Sequence, residues 1–191
     1  MARRVFFAFH YKDVAEFRAN TVRNHGIVKQ EEAEYFDASL WEEAKKTGDT
    51  ALKRMINAAV DRTSVTAVLI GSDTWSRRWV RYEIMKSWYR NNLLVGIHIN
   101  SIPGKDRQVK VVGPNPFDQL GYHIGVGGQR IELWEWSFGK WVPYGDLEGW
   151  TLGSPQPAQF RNKFFQLSVH AHLYDWVSDE GYKNFNTWIG A

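Results

Sequence analysis

The apolar positions of the first hundred residues fall into runs that switch between two periods. Residues 4–9 (RVFFAF) form a continuous apolar run of strand length. In KDVAEFRANTVRNHG, Val14, Phe17, Thr21 and Val22 recur at helical spacing, and Gly26 marks a stop. AEYFDAS reads as a short second strand ending at Asp37. GDTALKRMINAAVDRT predicts a helix with Asp49 or Thr50 as N-cap and Leu52, Met55, Ile56 and Ala59 on one face. SVTAVLIGS is apolar on both faces and is the third strand. RRWVRYEIMKSW, residues 77–88, predicts a helix capped by Ser76, with Val80, Ile84 and Trp88 one above the other. NLLVGIHIN is the fourth strand. Strands alternating with helices predict right-handed βαβ units and a parallel sheet covered on both faces. Such sheets carry their sites at the carboxyl ends of the strands. Here those ends are Phe9, His10 and Tyr11, then residues 37–39, then Gly71, Ser72 and Asp73.

The pattern changes after Asn100. SIPGKDRQVKVVGPNPFDQLG is rich in Gly and Pro and reads as a long surface loop. GYHIGVGGQRIELWEW and SFGKWVPYGDL alternate around GVGGQ and SFGK turns and predict a β-meander. Phe160, Phe164, Leu167 and Ala171 predict a helix that packs back on the sheet. No internal repeat is present. The expected organisation is one domain over residues 1–191, with a βα core to residue 100 and an elaboration after it.

Composition narrows the chemistry. The chain has 191 residues and no cysteine, which excludes disulfides, a thiolate nucleophile and cysteine-bound zinc. The net charge is +3 and the Lys and Arg residues are scattered, so nothing points to nucleic acid. The apolar run at residues 5–9 is shorter than the roughly 7–15 residues of a signal-peptide core, and no stretch approaches the ~18 apolar residues of a membrane span. A cytoplasmic location is expected. Ten tryptophans, six of them between residues 134 and 188, either fill a core with large rings or line a groove.

Most catalytic signatures are missing. There is no HExxH, and the six histidines are dispersed, so no metal site is expected. IGSDT is not a G-x-S-x-G elbow. IGVGGQR lies between predicted antiparallel strands and reads as a hairpin turn, not a phosphate cradle. A glycosidase acting on an ordinary sugar needs two carboxylates, and the sequence pairs no second one with Glu83. Glu83 borders the apolar stripe of its helix, with Trp79 four residues before it. Its ordinary reading is a solvated carboxylate offset by Lys86 and Arg90. Its place after the third strand puts it instead at a predicted site edge.

RVFFAFHYKDV resembles the first box of TIR domains, a buried strand running into a small residue, an aromatic and a polar loop leading to Asp. Residues 35–87, from YFDASLW to WVRYEIMKS, resemble the rest: a strand ending in Asp, a long loop, a helix, an apolar strand and then W-x-x-x-E. The likeness covers about the first hundred residues. With LGYHIG, LWEW, GKW and YDWVSDEGY added, the whole chain is similar to the TIR proteins of bacterial Thoeris antiphage systems. The resemblance implies a flavodoxin-like α/β fold of TIR type with a C-terminal β-meander and helix. It implies cleavage of NAD, as substrate and with no cofactor, at the nicotinamide–ribose bond. The product would be a cyclic ADP-ribose isomer made on phage infection, a diffusible signal to an effector with a SLOG domain. A phage component as trigger and self-assembly of the chain belong to the same implication. A non-catalytic signalling module and a hydrolase giving linear ADP-ribose are the alternatives.

By the same resemblance Glu83 is the catalytic residue and Trp79 a wall of its site. Phe9, His10 and Tyr11 map to the start of a nucleotide-contacting loop, although Phe9 reads equally as core. Asp37, Ser39 and Trp41 map to a variable loop, where Asp37 could equally cap the loop and Trp41 pack beneath it. Ser72 and Trp75 lie between the third strand and the Glu83 helix, and Ser72 reads equally as a turn residue. Two positions depart from the family pattern: Ala8 stands where Ser is usual, and His10 where small or basic residues are common.

Overall fold

β1 (Val5–Phe9), β3 (Val65–Ile70) and β4 (Leu93–His98) have almost no polar side to give to water, so they pair in parallel and are covered on both faces. β2 (Ala33–Glu34) pairs with β1, and β10 (Ala171–Asp175) lies beyond β4, giving the order β10-β4-β3-β1-β2. The computed structural model describes residues 3–25, 33–34 and 38–190. The chain divides into two compact units, residues 1–114 with 172–191, and residues 115–171.

Alternation along the strands separates two packing faces in the first unit. Val5, Phe7, Val65, Ala67, Leu69, Val95 and Ile97 join one core cluster. It also holds Ala19 and Val22 of α2 (Arg18–Arg23), Trp176, and Phe185, Trp188 and Ile189 at the C-terminal helix α6 (Gly181–Trp188). The other face carries Thr66, whose hydroxyl donates to Ser87 Oγ of α5 (Arg78–Tyr89) at 2.7 Å. α4 (Asp49–Asp61) packs beside α5 and buries Leu52, Ile56, Ala59 and Val60.

Several expectations need correction. The helix predicted after β1 is two helices, α1 (Tyr11–Ala15) and α2, broken at Phe17, which has φ 67° and is 52% exposed. The break lets Arg18 enter the interior, where its Nε donates to the Ile102 carbonyl at 2.9 Å and Nη2 to the Gln108 carbonyl at 2.7 Å. Gly26 and Asp37 lie outside the described residues. Ser39 and Trp41 are on α3 (Ala38–Thr47), not in a loop. Gly48, at φ 110°, takes the N-cap of α4, and Arg77 that of α5, while Ser76 closes a 3-10 turn, Thr74–Ser76, with its hydroxyl donating to the Asp73 carbonyl. No α-helix forms around Phe160, Phe164, Leu167 and Ala171. Residues there form β9 (Lys163–Gln166) and a 3-10 turn, Leu167–His170, because Phe164 and Phe165 alternate across a paired strand. The C-terminal helix comes later, where Phe185 and Trp188 turn inward.

The second unit is antiparallel. β5 (Leu120–Ile124), β6 (Arg130–Ser137) and β7 (Lys140–Pro143) form the expected meander, with the order β7-β6-β5-β9 and β8 (Trp150–Thr151) also pairing with β6. Gly128 (φ 78°) and Gly139 (φ 76°) sit in its two turns. Tyr122 stacks on Phe165 at 5.3 Å, and Trp141 meets Phe164 at 4.6 Å, so these rings cover one another along the sheet.

The 101–113 loop is tied down over the carboxyl end of β3. Arg18 also pairs with Glu16, which Lys110 binds through both oxygens at 2.6 and 2.5 Å. Asn100 donates to Ser72 Oγ at 3.0 Å and accepts from the Gly113 amide at 3.4 Å. A Cβ on Gly113 would lie 2.1 Å from the Gly71 carbonyl oxygen. Gly113→Ala is therefore expected to destabilise the protein by about 2–3 kcal/mol. Urea titration checks the loss, and hydrogen exchange should show weakened protection at the Lys110 and Gly113 amides.

Candidate active site

One hydrogen bond orients the Glu83 helix. Ser87 meets Thr66, and Glu83 lies one turn earlier on the same face of α5. It is thus displaced about 5 Å toward the carboxyl end of β3, to the level where Val68 pairs with Ala8. Helical side chains lean toward the helix N-terminus, which carries the carboxyl further toward that edge.

Glu83 is 5% exposed. Its Oε2 is buried and has no hydrogen-bond partner among the described residues. Burial alone pushes its pKa well above the ordinary glutamate value. The solvated reading fails: Lys86 sits over the Tyr89 ring at 5.1 Å, and Arg90 pairs with Asp61 at 2.9 Å. A desolvated carboxyl with no cation paired to it among the described residues is costly to the fold and favours any positive charge brought to it.

Aromatic rings flank it on α5. Trp79 makes edge contacts with Trp41 of α3 at 6.5 Å and with Tyr82 at 6.0 Å, and the Arg78 guanidinium lies 4.7 Å from its ring centre. Tyr82 donates to Asn57 Oδ1 at 2.9 Å, which ties this cluster to α4. Trp75, half-buried, offers its carbonyl to Arg81 Nε at 3.0 Å.

The other sequence candidates separate. Ser72 lies at the carboxyl end of β3 and accepts the Asn100 bond. His10 follows β1, and its carbonyl accepts the Asp13 amide at 2.9 Å. Burial, and next the Arg77 charge, lower its pKa. Tyr11 is 58% exposed. Phe9 turns the other way and packs against the opposite core, with the Arg23 guanidinium 5.0 Å from its ring centre. Ser39 sits on the first turn of α3. Ser72, Trp75, Trp79, Glu83 and His10 thus lie on the segments that follow β1 and β3, Trp41 meets Trp79, and Phe9 packs against the opposite core.

Asp13 went unassigned from sequence. It is 5% exposed and presses on Gly71, where a Cβ would lie 2.3 Å from Oδ1. Thr74 Oγ1 accepts the Gly71 amide at 2.9 Å and stands 3.4 Å from Asp13 Oδ2. Burial first, then Glu16, raise the Asp13 pKa to about 6. The only sequence signal was an acidic residue just past an apolar strand.

The order of elements, the covered parallel sheet and a W-x-x-x-E helix with its glutamate buried are those of a TIR-type domain. Residues 6–103 match the sequence model of the family described as "Thoeris protein ThsB, TIR-like domain". The chain belongs to the ThsB family. A relative from Bacillus cereus (strain MSX-D12), named "Putative cyclic ADP-D-ribose synthase ThsB1", is 53% identical over 191 residues, covering 99% of this chain and 100% of the relative. The ThsB family match runs from β1 through β4 and includes Glu83; the relative extends the likeness through the second unit to α6. Among the described residues no group of His, Asp or Glu is placed to hold a metal, and no helix is long and apolar enough to cross a membrane.

The two raised carboxyls set a pH dependence. Each binds its proton more tightly folded than unfolded, so its contribution to stability is complete below the ordinary value, 4.5 for Glu83 and 3.8 for Asp13, and is lost as pH rises through the folded value. Glu83→Gln removes one such loss. Starting near pH 4.5, its stability should gain on the parent by about 1.4 kcal/mol per pH unit until Glu83 ionises. Thermal melts of both proteins between pH 4 and 8 check this; parallel curves would refute it.

Proposed function

We propose that this chain is a Thoeris signalling enzyme that cleaves NAD at the nicotinamide–ribose bond and closes the ADP-ribose part into a cyclic isomer. The observation that carries this is Glu83, a buried carboxyl with an oxygen that has no partner among the described residues, at the site edge of a TIR-type sheet. Membership of the ThsB family and the printed name of the Bacillus cereus relative support it.

One carboxylate suffices for this bond. The nicotinamide ring of NAD already carries the positive charge, so it departs as a neutral base with no general acid. The transition state gathers positive charge on the ribose. Glu83 faces that charge from a dry site, where the attraction is strongest, and stabilises the transition state more than the ground state. The cationic substrate itself favours the ionised form of Glu83 that burial disfavours. NAD is the substrate, and no resident cofactor enters the step. Cyclisation requires a hydroxyl of the adenosine side, and not water, to reach the anomeric carbon. Trp79, Trp41 and Tyr82 provide the apolar walls for folding the dinucleotide and excluding water. The product then acts at a distance, on an effector with a SLOG domain, after a phage component triggers synthesis. Self-assembly of the chain belongs to the same reading.

The test is mass spectrometry of nucleotide extracts from cells carrying the protein or its Glu83→Gln variant, with and without phage. The parent should yield an ADP-ribose isomer on infection. The variant should lose at least about a hundredfold of it, together with phage protection. Protection unchanged in the variant would favour a non-catalytic module, and a linear product would favour simple hydrolysis.

A further inference from the structure

Beside Glu83, a cluster of under-used donors gathers where β1 and β3 end. Asp73 Oδ2 lies between two cations, 3.8 Å from Lys12 Nζ and 3.5 Å from Arg77 Nη2. Both separations are too long for hydrogen bonds, and all three side chains are about half exposed, so the pairing is loose. Arg77 Nε is buried and has no hydrogen-bond partner among the described residues. The His10 ring belongs to the same cluster: Arg77, Asp73 and Lys12 all act on its charge. Glu16 acts on it too, but Arg18 and Lys110 already hold that carboxylate. Lys12 and Arg77 thus share one loosely held carboxylate, with the His10 ring within reach of all three charges. Arg77 also opens α5, whose first turn holds no acidic residue, so the helix dipole adds to the same positive field.

We propose that Lys12, Arg77 and His10 form the seat for the substrate's diphosphate, with Asp73 as an internal anion that a ligand displaces. This rests on the NAD reading above. The spacing suits it: Arg77 precedes Glu83 by six residues, about 9 Å along the helix axis, and Glu83 leans toward that end. A ribose and its 5′-phosphate bridge such a gap, which sets the anomeric carbon at the carboxylate while the diphosphate lies at the guanidinium. Arg77 meets phosphate oxygens through a planar fork that loose pairing with Asp73 leaves unspent. Anchoring the molecule at its midpoint also leaves both ribosides free to fold toward each other, as ring closure demands.

Isothermal calorimetry on the full chain tests the seat, with ADP-ribose and adenosine as probes. Arg77→Gln should weaken ADP-ribose binding about ten- to a hundredfold and Lys12→Gln about tenfold or less. Asp73→Asn should tighten it several-fold, a gain that a purely structural role for Asp73 does not produce. Adenosine, which has no phosphate, should bind all four proteins alike. Unchanged ADP-ribose affinity in Arg77→Gln, equal weakening of adenosine, or no ADP-ribose binding by the parent overturns the seat. The enzymatic reading is judged separately by Glu83→Gln in cells. Loss of product there with unchanged Arg77→Gln affinity removes the seat and keeps the reading; persistence of product removes the reading itself.

Discussion

A sheet without a polar face governs this molecule. β1, β3 and β4 are apolar on both sides, so helices must cover both. On one side that cover is α2 and α6, closing over Trp176 and Phe185; on the other it is α4 and α5. The polar residues that end these strands have nowhere to go but the carboxyl edge. There they meet the N-terminus of α5 and the fastened 101–113 loop. The covering of α5 is also what desolvates Glu83, so the cost of that carboxyl and the stability of the sheet come from one packing arrangement.

The central strands were legible because an apolar run of five or six residues bounded by turn signals has few other places to go. The Glu83 helix was legible from Val80 and Ile84, and Glu83 itself from its place at the margin of that stripe. Its burial was not, because nothing local tells whether a neighbouring helix covers a margin. The break at Phe17 was unreadable for a related reason: Val14, Phe17 and Val22 keep helical spacing, but the buried Arg18 finds its carbonyls 84 and 90 positions away, at Ile102 and Gln108. The mistaken helix at Phe160, Phe164 and Leu167 shows the limit of period alone. Three aromatic and aliphatic residues fit a helical stripe, yet partners on β5 turned the segment into a strand.

Three ionisable side chains deep in the first unit illustrate different uses of burial. Arg18 is fully satisfied, by two carbonyls and Glu16, and serves as a fastener for a loop. Asp13 is wedged against Gly71 beside Thr74 and holds the turn after β3 in shape. Glu83 has neither kind of compensation at Oε2. Well-satisfied buried charges read as architecture; the one left wanting is where the proposed chemistry is placed.

The first unit is discontinuous: the chain leaves it after residue 114 and returns at residue 172. β10, Trp176 and α6 therefore emerge during synthesis only after the antiparallel unit. Until they do, the apolar face formed by Val5, Phe7, Ala67 and Val95 lacks Trp176, Phe185, Trp188 and Ile189 from its cover. The ribosome must complete the whole antiparallel unit before this cover arrives, so the nascent chain carries an open hydrophobic surface while that unit is made. A chain that stopped short of β10 would hold every residue of the candidate site but lack Trp176, Phe185 and Trp188 over its core, a substrate for chaperones and proteases.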